Sequence, residues 1–300
     1  MLSVLAITTL ITLQTGTTSE PPADQTAAYV PQRVFDTSRR TFTDFESMLA
    51  DLTRADVVLV GEQHDDPNTH RLEAAVLDGL ERRRVAVTVS LEMFERDVQP
   101  ALDAYLAGSM SEKDFLEASR PWPRYASDYR PLVEMAKAHR WPVVAANVPR
   151  KYAAAVAKEG VGALDGLNAT DRAMLASERQ CPKDAYYERF AETMGGHSGN
   201  GGADAQVMER YYQSQCLKDE TMAESIAAAF ARRSGRPGTI VHVTGAFHSE
   251  FGTGTTERVR RHLPGRRVAA ISILPVDDLD RVTPTDEDLK RADYLVYTLK

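Results

Sequence analysis

From Val57 onward, short uninterrupted apolar runs alternate with longer stretches of helical periodicity. The runs are Val57–Val60, Val85–Leu91, Val143–Ala146, Thr239–Thr244, Val268–Ile273 and Tyr294–Thr298. They are rich in Val and Ile, and most are apolar throughout. Strands of that kind are buried on both faces, which predicts an α/β fold: a mostly parallel sheet flanked by helices. The first helix has a clean start. Asp66 can cap it, Pro67 suits its first position, and Leu72, Val76 and Leu80 form its inward stripe. No strand pattern occurs between Ala146 and Thr239. Helices are expected there over Arg150–Lys158, Ala169–Glu178, Ala185–Thr193 and Ala205–Arg233, which predicts a helical insert or cap at about 150–236. Within it, "MGGHSGNGGADA" at 194–205 is the most Gly-rich stretch and is expected to be a mobile loop.

The chain of 300 residues is 43% hydrophobic, enough for a full core. Its net charge of -7 carries no basic footprint, so no nucleic-acid partner is expected. Residues Leu2–Leu13 make an apolar core of signal-peptide length, too short to span a bilayer comfortably, although no Lys or Arg precedes Arg33. Residues 1–20 are therefore expected to direct export to the periplasm or beyond, and 21–45 to act as a linker. No Cys lies near this segment, so membrane association through a lipid anchor is not expected. Cys181 and Cys216 are expected to form one disulfide across the helical segment, as suits an exported protein.

Four runs end on polar groups. "VVLV" leads into Gly61-Glu62-Gln63-His64, and "VAVTVSL" into Glu92. "VVAA" leads into Asn147 and then Arg150, and "TIVHVT" into Gly245-Ala246-Phe247-His248. In open α/β sheets, ligands bind beyond the carboxyl ends of the strands. If these strands are parallel, the four ends gather on one edge and make a site. Glu62 and His64 are two apart, so they face one side of extended chain. Gly61 and Gly245 each stand three residues before a His, where glycine permits a sharp turn or close approach. Glu62, His64, Glu92 and His248 form a plausible set for a divalent metal. The same four can instead supply a general base with an orienting acid. Each His can also be no more than a hydrogen-bonded strand cap.

The remaining candidates are weaker. His242, between Val241 and Val243, reads as a core histidine; His70, His139 and His262 read as solvated. His197, in the Gly-rich segment, can swing over the site. Asp219 shares a helical stripe with Cys216, Ala223, Ile226 and Phe230, so it points where apolar residues point. Burying it unpaired is costly, and Arg150 is the candidate partner. Asn147, Arg150, His197 and Asp219 are accordingly the candidates for cofactor contact.

Together "VLVGEQHDDP", "SLEMFERD", "YRPLVEMAKAHRWPVVAANVPR", "QSQCLKDETMAESIA", "VTGAFHSEFGTG" and "ADYLVYTL" resemble the ChaN family of bacterial haem-binding and iron-uptake proteins. That family lies in a superfamily with Tiki proteases, TraB-like proteins and erythromycin esterases. The resemblance covers roughly 50–300 and implies a ChaN-like α/β domain over 46–300. It also implies an envelope location, and haem as the ligand, held between two protomers of a homodimer. For the superfamily's enzymes it implies a metal- or histidine-dependent hydrolase, with Gly61, His64, Glu92, Gly245 and His248 at the matching positions. The family's iron ligand is suspected to be a tyrosine. Tyr186, Tyr187, Tyr211 and Tyr212 lie in the insert, where paired tyrosines also read as packing residues.

Overall fold

The computed structural model of the protein describes residues 30–197 and 205–300. The expected signal peptide and the centre of the Gly-rich segment lie outside the described residues. All six apolar runs are strands. They are β3 (Val57–Glu62), β4 (Val87–Glu95), β5 (Val143–Asn147), β6 (Thr239–Gly245), β7 (Val268–Val276) and β8 (Tyr294–Leu299). Preceding them, β1 (Gln32–Asp36) and β2 (Thr41–Thr43) form a hairpin. The eight-stranded sheet has the order β2-β1-β8-β7-β3-β6-β4-β5. From β8 to β5 every neighbouring pair is parallel, while β1 runs antiparallel to β2 and β8.

The hairpin corrects the expectation of a linker reaching residue 45. Val34 and Phe35 are buried, and all five β1 residues pair with β8. Five residues of mixed polarity are too short a signal for a strand, and the partners of β1 on its two flanks, β2 and β8, cannot be read from it.

Helices before β5 cover one face: α1 (Phe45–Leu52), α2 (Pro67–Arg82), α3 (Gln99–Leu106), α4 (Glu112–Ser119), α5 (Tyr125–Asp128) and α6 (Arg130–His139). Asp66 does cap α2, accepting from the Asn68 N–H at 3.0 Å. Between β5 and β6 lie α7 (Arg150–Glu159), α8 (Ala169–Arg172), α9 (Ala185–His197) and α10 (Ala205–Arg232). Two further helices, α11 (Ala246–Ser249) and α12 (Gly254–His262), follow β6. Met222, Ala223, Ile226 and Ala229 of α10 pack with Val259 and Leu263 on Val57, Leu59, Val144, Ala146 and Ile240. Met222 and Ile226 are fully buried, worth about 1.5–3 kcal/mol each. The expected insert is thus two things: α10 is the layer on the sheet's second face, and α9 is a cap. Among the described residues no helix is long and apolar enough to cross a membrane.

Cys181 and Cys216 are joined as expected, across a separation of 35 residues. The bond ties the segment before α9 to α10 beside Tyr186, Phe190 and Tyr212. Replacing both cysteines by Ala should lower stability by about 3–4 kcal/mol, the loop-closure value for that separation. Urea unfolding of the variant checks this; a loss below about 1 kcal/mol would show that α10 holds this corner without the bond.

Candidate functional site

The four predicted strand ends are neighbours, because β6 lies between β3 and β4, and β5 follows β4. Glu62 is in register with Gly245, so the ends of β3 and β6 stand side by side. A Cβ at Gly245 would sit 2.8 Å from His64 Nε2, so this glycine is what lets the imidazole lie over the end of β6. At Gly61 a Cβ would meet Ser249 Oγ at 2.5 Å and the Ala246 backbone at 3.2 Å. The absent side chain there lets α11 seat against β3 and delivers His248.

Glu92 knots the edge together. Its Oε2 accepts from Thr244 Oγ1 at 2.5 Å and from the Gly245 N–H at 2.8 Å, both at the end of the adjoining strand. Its Oε1 lies 3.6 Å from His248 Nε2. The other His248 nitrogen, Nδ1, is 2.8 Å from Asp219 Oδ1. Asp219 also accepts from Thr255 Oγ1 at 2.8 Å and from Tyr186 Oη at 2.7 Å. On the far side, His64 Nδ1 bonds Glu62 Oε1, which also accepts from Tyr129 Oη at 2.8 Å. His64 is half exposed, and its Nε2 has no hydrogen-bond partner among the described residues.

Glu62, His64, Glu92 and His248 line one cavity of about 560 Å³. Trp122, Phe190, Met194 and Phe247 supply apolar wall, and Arg150, Arg189 and Lys218 stand around it. Trp122 meets the His64 ring edge-on at 5.0 Å.

Each charge is set by its neighbours. Burial pushes the Glu62 carboxyl up, but the hydrogen bond from His64 and the nearby His70 imidazole outweigh it and hold the group well below the usual range. Burial acts downward on His64, and Glu62 and Glu92 raise it above an ordinary imidazole. His248 is likewise lowered by burial and raised on balance by Asp219 and Glu92. For Glu92 and Asp219 burial acts upward, and the imidazolium of His248 brings both below normal.

The other candidates fall out differently. Asn147 lines the cavity, but its side chain is spent on backbone: Nδ2 donates to Glu92 O at 3.1 Å, and Oδ1 accepts from the Val148 N–H at 2.8 Å. Arg150 is exposed and lies 3.9 Å from Glu95, so it is not the partner of Asp219. Asp219 sits behind His248 and acts through it. His197 ends α9, and its side chain lies outside the described residues. His242 is the expected core histidine, bonded to Ser90 Oγ at 2.9 Å and pushed down to about 4 by burial. His70 is not solvated. It is 4% exposed, and its Nδ1 lies 3.3 Å from Glu73 Oε2 and 3.5 Å from Glu62 Oε2. The apolar stripe of α2 is wider than Leu72, Val76 and Leu80, and it includes His70 and Glu73 as polar members. Their i,i+3 spacing was the available signal. Trp122, Arg189 and Phe247 carried none, since nothing local separates a cavity wall from a core.

A family model described as haem-binding uptake, Tiki superfamily, ChaN matches residues 48–259. The chain belongs to the ChaN family. Among solved structures, the ChaN fold is similar to ChaN of Campylobacter jejuni, for which cofacial haem binding is described. That match has 15% identity and a TM-score of 0.66, covering 90% of this chain and 97% of the other. A succinoglycan biosynthesis protein matches at 10% identity and TM-score 0.50, over 86% and 92% of the two chains. An erythromycin esterase in its open conformation matches at 12% identity and TM-score 0.45, over 90% and 83%. At these identities the likeness is one of fold. No curated protein matches the chain.

Asp219 gives the sharpest test of this arrangement. Asp219→Asn leaves the buried His248 without its carboxylate and should cost about 3–5 kcal/mol. The depressed Asp219 contributes fully above the ordinary 3.8 and loses its contribution as pH falls. The raised His248 contributes fully below 6.5 and loses its contribution as pH rises through its folded value. The deficit of the variant should therefore be greatest between pH 3.8 and 6.5. Urea unfolding across pH measures it; a flat deficit would mean that the two groups are not ionised together.

Proposed function

We propose that this ChaN-family chain is a haem-binding protein of the bacterial envelope, serving haem or iron uptake, with the strand-end cavity as its ligand site. The observation that carries the proposal is His64. Its Nδ1 is tied to the Glu62 carboxylate and its Nε2 has no partner, which is the arrangement of a metal-ligating imidazole with its orienting carboxylate. Haem asks for an apolar slot, a donor for iron and cations for its two propionates. Trp122, Phe190, Met194 and Phe247 suit the first, His64 the second, and Arg150, Arg189 and Lys218 the third. Bound haem supplies an iron centre whose ligation is set by the protein.

The suspected tyrosine is not part of this reading. None of the four insert tyrosines lines the cavity. Tyr186 bonds Asp219, and Tyr212 donates to Pro182 O at 2.7 Å. Export is supported by the apolar Leu2–Leu13 and by a disulfide that suits an oxidising compartment. A second protomer over the open mouth belongs to the same proposal, and the family resemblance motivates it.

Titration with hemin should give a Soret shift saturating at one haem per cavity. His64→Ala should weaken binding at least tenfold. Gly245→Ala, which crowds His64 without removing it, should weaken binding by less. An unshifted Soret band at stoichiometric protein would end the proposal. Equal affinity in His64→Ala would move the iron elsewhere.

One observation favours a second reading, a hydrolase. His248 has a carboxylate at each nitrogen, Asp219 at 2.8 Å and Glu92 at 3.6 Å, which suits proton transfer rather than ligation. Turnover of an ester and amide panel, with and without chelator, tests it. It predicts at least a hundredfold loss in His248→Ala, and no turnover by the wild type would dismiss it.

A further inference from the structure

Behind the cavity, on the α2 side of Glu62, lies a second group of ionisable side chains that shares only Glu62 with the strand-end site. Glu62 is 2%, Glu73 1% and His70 4% exposed. Three candidate ligand atoms, one from each, lie within 4.8 Å of one another. Two carboxylates and one imidazole in so little space need a compensating cation or shared protons. Glu73 Oε1 and Glu62 Oε2 have no hydrogen-bond partner, and Glu62 Oε2 lies 3.5 Å from His70 Nδ1.

We infer that Glu62, His70 and Glu73 form a buried binding site for one divalent transition-metal ion of the zinc type, distinct from the strand-end cavity. The spacing fits. His70 Nδ1 lies 3.3 Å from Glu73 Oε2 and 3.5 Å from Glu62 Oε2. A tetrahedral ion with bonds of about 2.0–2.2 Å has ligand–ligand edges of about 3.3–3.6 Å. The tautomer fits too. His70 Nε2 lies 3.2 Å from the His64 carbonyl and 3.4 Å from Asp128 Oδ2, so it can keep its proton when an ion displaces the one on Nδ1. Metal-bound histidines are held in this way by a carbonyl or carboxylate on the other nitrogen. An imidazole with two carboxylates is a donor set for zinc, manganese or iron rather than for calcium. His70 and Asp128 also line a separate cavity of about 610 Å³ on the outer side of α2, which provides a way in.

The site has a consequence for the neighbouring one. Glu62 would bind the ion through Oε2 and hold His64 through Oε1, so the ion would fix the orientation of the imidazole in the strand-end cavity.

The full chain, stripped with chelator and then equilibrated with Zn²⁺ alone and desalted, should retain one zinc per chain by elemental analysis. Its melting temperature should rise with added Zn²⁺. His70→Ala and the near-isosteric Glu73→Gln should each lower zinc affinity at least tenfold. His64→Ala and His248→Ala should retain the ion, which separates this site from the strand-end cluster. The wild-type stoichiometry, the melting shift and the two cavity variants decide the matter even if His70→Ala fails to fold. The inference is overturned if the wild type retains no zinc. It is equally overturned if zinc survives in Glu73→Gln and is lost in His64→Ala. A zinc-free wild type together with a more stable Glu73→Gln would show that Glu62 and Glu73 share a proton instead. None of these outcomes depends on haem binding.

Discussion

The Glu92 carboxylate is the constraint on which the strand-end site depends. It is buried, and a buried charge is tolerated only where donors surround it. Those donors are the Thr244 hydroxyl and the Gly245 N–H, so the end of β6 must lie against the end of β4. Once β6 is there, the short α11 falls over Gly61 and brings His248 to Glu92 and Asp219. Removing the carboxylate would leave the Thr244 hydroxyl and the Gly245 N–H without their acceptor, and His248 Nε2 without its carboxylate. The site is therefore a property of strand order before it is a property of any one residue.

Glu62 plays the corresponding part on the other flank. One oxygen faces His64 and the cavity, and the other faces His70 and Glu73. It joins the half-exposed strand-end cavity to a closed polar cluster within the helix layer. Around the cluster, Tyr129 donates to Glu62 and stacks edge-on against His70 at 5.0 Å, which limits how either can turn. A polar group this enclosed has few rotamers, and that rigidity passes to His64.

The two faces of the sheet divide the labour. Helices from the first half of the described chain pack the larger core, while α10 and α12 close the second face. Because α10 is seated by Met222 and Ile226, Asp219 on the same stripe is placed to within a hydrogen bond of His248. Packing on the sheet thereby sets the chemistry at its edge. In α9, Phe190 and Met194 meet the cavity, so this helix covers it while its neighbour forms part of the core.

Much of this was legible in the residues. The six core strands announced themselves because strands buried on both faces must be apolar throughout. Their parallel direction followed from the helices between them, and the strand-end positions of Glu62, His64, Glu92 and His248 followed from both. What stayed hidden depended on contacts distant in sequence. The β1 hairpin needs β8 to pair with, and the residue opposite Arg33 is Tyr297, near the other end of the chain. Arg150 looked like the partner of Asp219 only because the insert's helices had no known positions. His70 looked solvated because its carboxylate partner on β3 cannot be read from α2 alone. By itself the sequence determined which segments are strands and helices, since local periodicity and burial carry that information. Only the tertiary structure decided which charges face one another, because strand order and helix seating, not spacing along the chain, set the distances over which ionised groups interact.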